Sequence, residues 1–182
     1  MRERRCSAVL FACLLMCVMS GCGYTTRVYI GPYKTMYVAP FKNSINIASA
    51  KSEFANYTSY YPLLESTITR KVVERFIFDG NVKVAKEENA DAIIKGELVG
   101  YNRSALTYAQ NNEDVTEYRL TLTINLELYN NKTKKAIWRK DGFSANTTYF
   151  TTGAQAISEK TALDNAIVDL ARRIVESVTE AW

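Results

Sequence analysis

The sequence predicts an α+β fold, a two-layer sandwich in which two helices cover one face of a mostly antiparallel, four-stranded sheet. Leu120, Leu122, Ile124, Leu126 and Leu128 alternate with Arg119, Thr121, Thr123, Asn125 and Glu127, the two-residue period of a strand with one dry and one wet face. Leu64, Ile68, Val72 and Phe76 recur every fourth position, and Leu163, Ala166, Ile167, Leu170, Ile174 and Val178 form a second stripe of helical period. Two apolar stripes and one apolar sheet face satisfy one another, leaving the second sheet face polar.

The elements follow in order. Met36-Tyr37-Val38-Ala39-Pro40-Phe41 reads as a first strand that Pro40 confines to an end or an edge. Residues 43–57 are polar, lack a period and read as a long loop. Thr58 or Ser59 suits a helix cap, Pro62 the first turn and Glu65 the positive end of the helix dipole, with Leu63 and Val73 widening the stripe before Gly80 stops it. Val82-Lys83-Val84 reads as a short strand. In the next strand, 92–101, Ile94, Gly96, Leu98 and Gly100 oppose Lys95, Glu97, Val99 and Tyr101, the glycines marking places where a helix comes close. The connection 102–116 reads as loop-like at its distal end, with Glu113, Asp114 and Glu117 as solvated acids. Asn130 to Lys135 is hairpin chemistry, Trp138 marks a core or seam position on the returning strand, and Asp141-Gly142 marks a bulge.

Composition narrows the function. The 182-residue chain contains no histidine, which removes Ser-His-Asp triads, Cys-His pairs and histidine-ligated zinc. No catalytic residues, metal ligands or cofactor are expected; a carboxylate or Ser/Lys hydrolase is the residual enzymatic alternative, and no nucleophile-elbow pattern supports it. Twelve tyrosines suit a half-buried sheet or an interface, with glycan stacking as the alternative.

The first residues, Met1-Arg2-Glu3-Arg4-Arg5, precede an apolar stretch from Ala8 to Met19, too short to span a bilayer as a helix. It ends in Met19-Ser20-Gly21-Cys22, which resembles a bacterial lipobox. Residues 1–21 are therefore expected to be a cleaved signal, 22–35 a lipidated N-terminus and tether, and 36–182 one domain; a retained short anchor is the alternative. Cys6, Cys13 and Cys17 leave with the signal, so Cys22 would be the lone cysteine and a disulfide impossible. Loss of Arg2, Arg4, Arg5 and Glu3 lowers the net charge from +4 to +2, which argues against a nucleic-acid partner.

Several fragments, in order, resemble the lipopolysaccharide-assembly lipoprotein family, LptE. They are Gly21-Cys22-Gly23-Tyr24, Tyr37-Val38-Ala39-Pro40-Phe41-Lys42-Asn43 and Pro62-Leu63-Leu64-Glu65, then the run from Ala90-Asp91-Ala92 to Glu97-Leu98, Glu117-Tyr118-Arg119-Leu120, Ile137-Trp138 and Glu180-Ala181-Trp182. The resemblance implies a non-enzymatic outer-membrane lipoprotein that plugs a partner β-barrel (LptD-like) and helps deliver lipopolysaccharide to the outer leaflet. It would face the periplasm or sit within the barrel lumen. Two features depart from the family pattern: residues 44–57 look inserted, and the loop 108–115 is acidic. The alternative within this class is a regulatory lipoprotein of another envelope machine.

The densest positive run, Lys132, Lys134 and Lys135, with Arg103 or Arg139 nearby, is the candidate contact for lipid A phosphates. The alternative is a solvated turn whose lysines discourage edge pairing. Gly23 after the lipobox cysteine, in place of an inner-membrane retention aspartate, points to the outer membrane. Cys22→Ala should abolish incorporation of a palmitate analogue and leave no processed, lipidated form in the membrane fraction; unchanged labelling would refute the anchor.

Overall fold

The computed structural model describes residues 33–45, 62–110 and 114–179. The signal, Cys22, the loop from 46 onward, the caps Thr58 and Ser59, Glu113 and the terminal Glu180-Ala181-Trp182 lie outside these residues. The element order is β1 (Thr35–Val38), β2 (Lys42–Asn43), α1 (Leu64–Asp79), β3 (Lys83–Val84), one 3-10 turn (Glu87–Asn89), β4 (Ala92–Tyr108), β5 (Val115–Asn130), β6 (Ala136–Phe150) and α2 (Glu159–Thr179).

The class matches the expectation, but the sheet does not. Instead of four mostly antiparallel strands, it is a six-stranded mixed sheet ordered β3-β1-β4-β5-β6, with β2 also beside β4. β1 runs parallel to β3 and β4, and β2 runs parallel to β4; only β4-β5-β6 forms an antiparallel meander. The reason is topological. β1 leads through α1 before the chain returns, and strands joined by a crossing helix come back in the same direction. β2 and β3 have two residues each, too few for a period to register.

Both helices bury the stripes read from the sequence. Leu64, Ile68, Val72 and Phe76 of α1 are buried, and the helix stops at Gly80, whose φ of 71° lets its N–H donate to the Phe76 carbonyl at 3.1 Å. Its start differs from the expectation. Leu63 lies outside the helix at φ 61° and is exposed, so it does not widen the stripe. In α2 the whole predicted stripe is buried. Its cap is Ser158, whose Oγ accepts from the Thr161 N–H at 3.1 Å.

The dry face of β5 is sealed: Leu120, Leu122, Ile124, Leu126 and Leu128 are all at most 1% exposed. Among the described residues no polar or charged side chain is fully buried, so the core is held by apolar contact alone. β6 breaks its alternation where predicted. Asp141 and Gly142 together face Asn125, Gly142 has a φ of 66°, and its N–H donates to Asn125 Oδ1 at 3.0 Å.

Two expectations for β4 need correction. The strand continues to Tyr108, through the first part of the segment read as a connection, because these residues, with a break at Leu106, pair with β5. Gly96 makes room for the Phe41 ring rather than for a helix: a Cβ there would lie 2.4–2.6 Å from three ring carbons. A second bulge falls between Leu98 and Gly100, so Tyr101 and Arg103 face the side of Leu122 and Leu120. A one-residue slip reverses every following side chain.

Gly96→Ala should therefore destabilise the domain by about 2 kcal/mol through overpacking. Phe41→Leu should recover part of that loss in the double variant. Chemical denaturation of the four proteins checks the coupling, and additive losses would place the strain elsewhere.

Candidate functional site

The strands and helices leave three surfaces: a pole at which the domain begins, an open sheet face and a far end. β1, β3, β4 and β6 start, and β5 and α1 finish, at the pole. α2 runs back towards it, from Glu159 beside Arg103 to Arg173, which donates to the Ser144 carbonyl of β6.

Asp91 organises the pole. Its Oδ2 accepts from the Lys34 and Thr35 N–H groups, both at 3.2 Å, and from Thr35 Oγ1 at 2.9 Å. Its Oδ1 lies 3.3 Å from Lys132 Nζ. The Thr35 hydroxyl bond lowers the Asp91 pKa most, burial opposes it, and Lys132 and the two backbone donors reinforce the lowering. Asn131 completes the joint, its Nδ2 donating to the Glu87 and Ala90 carbonyls at 2.7 and 2.8 Å. One carboxylate thus fastens the first strand and the hairpin tip to the start of β4.

The tip itself is a turn built by Asn130, whose Oδ1 accepts from the Lys132 and Thr133 N–H groups at 2.9 Å each. Lys134 occupies a left-handed conformation at φ 55°, and its Nζ reaches Asn131 Oδ1 at 2.6 Å. Lys132, Lys134 and Lys135 are all exposed. Arg139 stands opposite Glu127, three positions before Asn130 on β5, and binds Asp141 at 2.8 Å. That hydrogen bond raises its pKa above the ordinary arginine value, and the charges of Asp141 and Glu127 add to it.

Arg103 is not part of this group. It faces Leu120, ten residues along β5 from Asn130, which is about 33 Å of strand. There it pairs with Glu159 at the start of α2 and covers the Tyr118 ring at 4.4 Å. Burial works against its charge, but the hydrogen bond and charge of Glu159 outweigh it and raise the pKa. Tyr101 donates to the same carboxylate at 2.6 Å, and Tyr149 lies at 3.4 Å. Burial, then the charge of Glu159, pushes the Tyr149 pKa up to about 12. This cluster locks α2 onto the sheet. The signal that could have found it is Gly100 inside a strand, which marks the bulge and hence the change of face rather than the approach of a helix.

The open face carries charges in rows. Lys95 pairs with Glu127 and Glu127 with Arg139 across three strands; Lys42, Glu97 and Asn125 form the next row. Towards the far end Thr121, Thr123, Ser144 and Asn146 continue it with uncharged donors and acceptors. A shallow groove of about 440 Å³ lies between Ala39-Pro40 and this face. Among the described residues no cluster of acids and cysteines could hold a metal, and no helix is long and apolar enough to cross a membrane.

The two-layer α+β fold of this domain is a class shared with solved structures. Protein XCC0632 from Xanthomonas campestris has 12% identity and a TM-score of 0.56, covering 81% of this chain and 84% of its own. Protein CT253 from Chlamydia trachomatis has 10% identity and a TM-score of 0.53, covering 80% and 95%. These likenesses concern the fold alone. No curated protein sequence matches this chain. The family model LptE, lipopolysaccharide assembly, matches residues 33–181, and the chain belongs to that family.

Asp91→Asn should lower the stability at neutral pH by about 1.5 kcal/mol, or about 5 °C in melting temperature for a domain of this size. Because the folded pKa is depressed, the carboxylate's contribution is present above its unfolded value of about 3.9 and lost as pH falls through the lower folded value. The melting temperature of the parent should therefore fall more steeply than that of the Asn variant in acid. Parallel curves would show that Asp91 holds nothing.

Proposed function

We propose that this chain is a lipid-anchored, non-enzymatic outer-membrane lipoprotein that partners a β-barrel lipopolysaccharide export protein. The observation that carries the reading is the one-sided core. Among the described residues both helices pack on one side of the sheet, and the strands turn most of their apolar groups to that side, so the sheet presents a broad, mostly polar face that no described element covers. A barrel lumen is polar and lined by side chains that exchange hydrogen bonds with such a face, without the dehydration penalty an apolar wall would impose. Membership of the lipopolysaccharide-assembly family supplies the cargo.

In this reading the open face fills the lumen, while Lys132, Lys134 and Lys135, with Arg139 close by, stand at one end to meet the phosphates of lipid A. Lysine serves phosphate as a mobile point charge, and its attraction is screened by salt. Lys132 is 81% exposed, so its link to Asp91 contributes at most about 1 kcal/mol and leaves the amine available.

Affinity purification of the full chain from detergent-solubilised membranes should recover a large β-barrel protein; recovery of an inner-membrane synthase instead would overturn the reading. Replacing Lys132, Lys134 and Lys135 with glutamine should weaken lipopolysaccharide binding, most at low salt, while leaving barrel recovery and melting temperature nearly unchanged. Equal binding by the triple variant at low salt would reduce the tip to a turn.

A further inference from the structure

Beyond its bulge, the outer edge of β6 is shaped as a slot for one more short strand. From Phe143 to Phe150 every residue faces β5 without a shift, so successive backbone groups turn alternately inward and outward. Three contacts fix which are which. The Thr151 N–H donates to the Thr116 carbonyl of β5, so the odd-numbered residues turn inward. The Phe150 carbonyl accepts from the Ile157 N–H and the Ser144 carbonyl from Arg173, so the even-numbered ones turn outward. Among the described residues no backbone group pairs with Asn146 or Thr148 on that side, or with the Ser144 N–H.

Both ends of the stretch are closed. The chain leaving β6 doubles back and bridges Ala156 to Phe150, and at the other end Arg173 lies over the Phe143 ring at 5.2 Å, next to the bulge. The interval holds about four to five residues of extended chain at about 3.4 Å each. A row of alternating donors and acceptors at that spacing is matched by one chemistry, the backbone of another extended peptide.

Side chains narrow the occupant. Ser144, Asn146 and Thr148 flank the slot on the open side with hydroxyl and amide groups, which favour threonine or serine as cross-strand neighbours. At the Ser144 end the nearby acids are already engaged: Asp169 and Glu176 bind Arg172, and Asp141 binds Arg139. Arg173 is held there by a carbonyl and a ring, so an acidic side chain of the occupant would give it a charged partner. Proline is excluded wherever the occupant must donate. The whole β6 of another copy does not fit, because it brings its own bulge and its own bridge to the two ends of the same stretch.

We infer that residues 144–148 take up a short, proline-free, threonine- or serine-rich segment of a partner protein as an added strand, with an acidic residue of that segment beside Arg173. The inference goes beyond the barrel reading. Wall strands of a closed barrel have no free backbone groups, so the segment is a loop or a terminus, and its addition widens the open face without covering it.

Hydrogen exchange followed by NMR on the processed full chain in detergent tests this, with acetyl-Glu-Thr-Thr-Val-Thr-Thr-amide at millimolar concentration as the probe. In the chain alone the N–H groups of Asn146 and Thr148 should exchange fast, and those of Ala145 and Thr147 slowly. The probe should slow Asn146 and Thr148 several-fold, its fully N-methylated counterpart should have no effect, and a probe with lysine in place of glutamate should bind several-fold more weakly. Asn146→Pro removes an N–H that β5 does not use, so it should abolish the probe's effect with little change in melting temperature. If that variant fails to fold, the N-methylated peptide supplies the same contrast. Arg173→Gln should erase the preference for glutamate over lysine. The proposal is overturned by unchanged exchange, or by an equal effect of the N-methylated peptide. Slow exchange of Asn146 and Thr148 in the chain alone also overturns it: independent of protein concentration, it marks a cover from this chain, and rising with concentration, a second copy. Failure of the barrel reading shows separately, as the absence of a barrel protein in the affinity purification, and leaves these exchange rates as they are.

Discussion

β4 is the strand on which everything else is hung. It pairs with parallel strands on one edge and with the antiparallel meander on the other, so it must satisfy two hydrogen-bond patterns at once. On its sealed side Ile94 and Leu98 are fully buried and Gly96 is open to the Phe41 ring. On its other side Ile93 sits between Tyr37 and Tyr129, a small apolar island on an otherwise polar surface. Asp91 precedes it and fixes its start; the bulge near Gly100 changes its face partway along. The position of both helices follows from these four features, since each covers one of the two ladders that β4 joins.

The parts of this fold written in a repeating period were legible in the residues. The β5 alternation, both helix stripes, the Gly80 stop and the Asp141-Gly142 bulge each involve neighbours in sequence, where the physics of one element decides the outcome. In the parallel half β1 and β3 were legible as short strands, but not their direction, nor β2, a pair of residues whose strand character comes from its partner. Gly96 signals close approach, but the approaching group is the Phe41 ring, far away in the chain, and not a helix. Charge alone groups Arg103 with the hairpin lysines; a single bulge moves it to the sealed side, where it serves Glu159. Asp91 stands inside a family-like fragment without any visible role, since its partners come from two distant segments, 34–35 and 131–132.

The division of labour across the domain follows from where desolvation is complete. The sealed face excludes water and holds the fold, and the open face keeps its polar groups at the surface, where another polar wall can replace water at little cost. The pole gathers exposed amines beside an exposed aromatic residue. These three environments are spatially separate, so a substitution on one surface leaves the others intact.

The Asp141-Gly142 bulge has a further consequence. β6 ends the sheet, and no strand of the described residues pairs along its outer edge beyond the bridge of Phe150 to Ala156. Free edges are templates for another copy of the same strand. The bulge twists that edge midway and sets Arg139, Lys140 and Asp141 beside the kink, so two copies cannot align a continuous ladder there. The irregularity that spoils the alternation thus works against strand-to-strand pairing of copies at this edge.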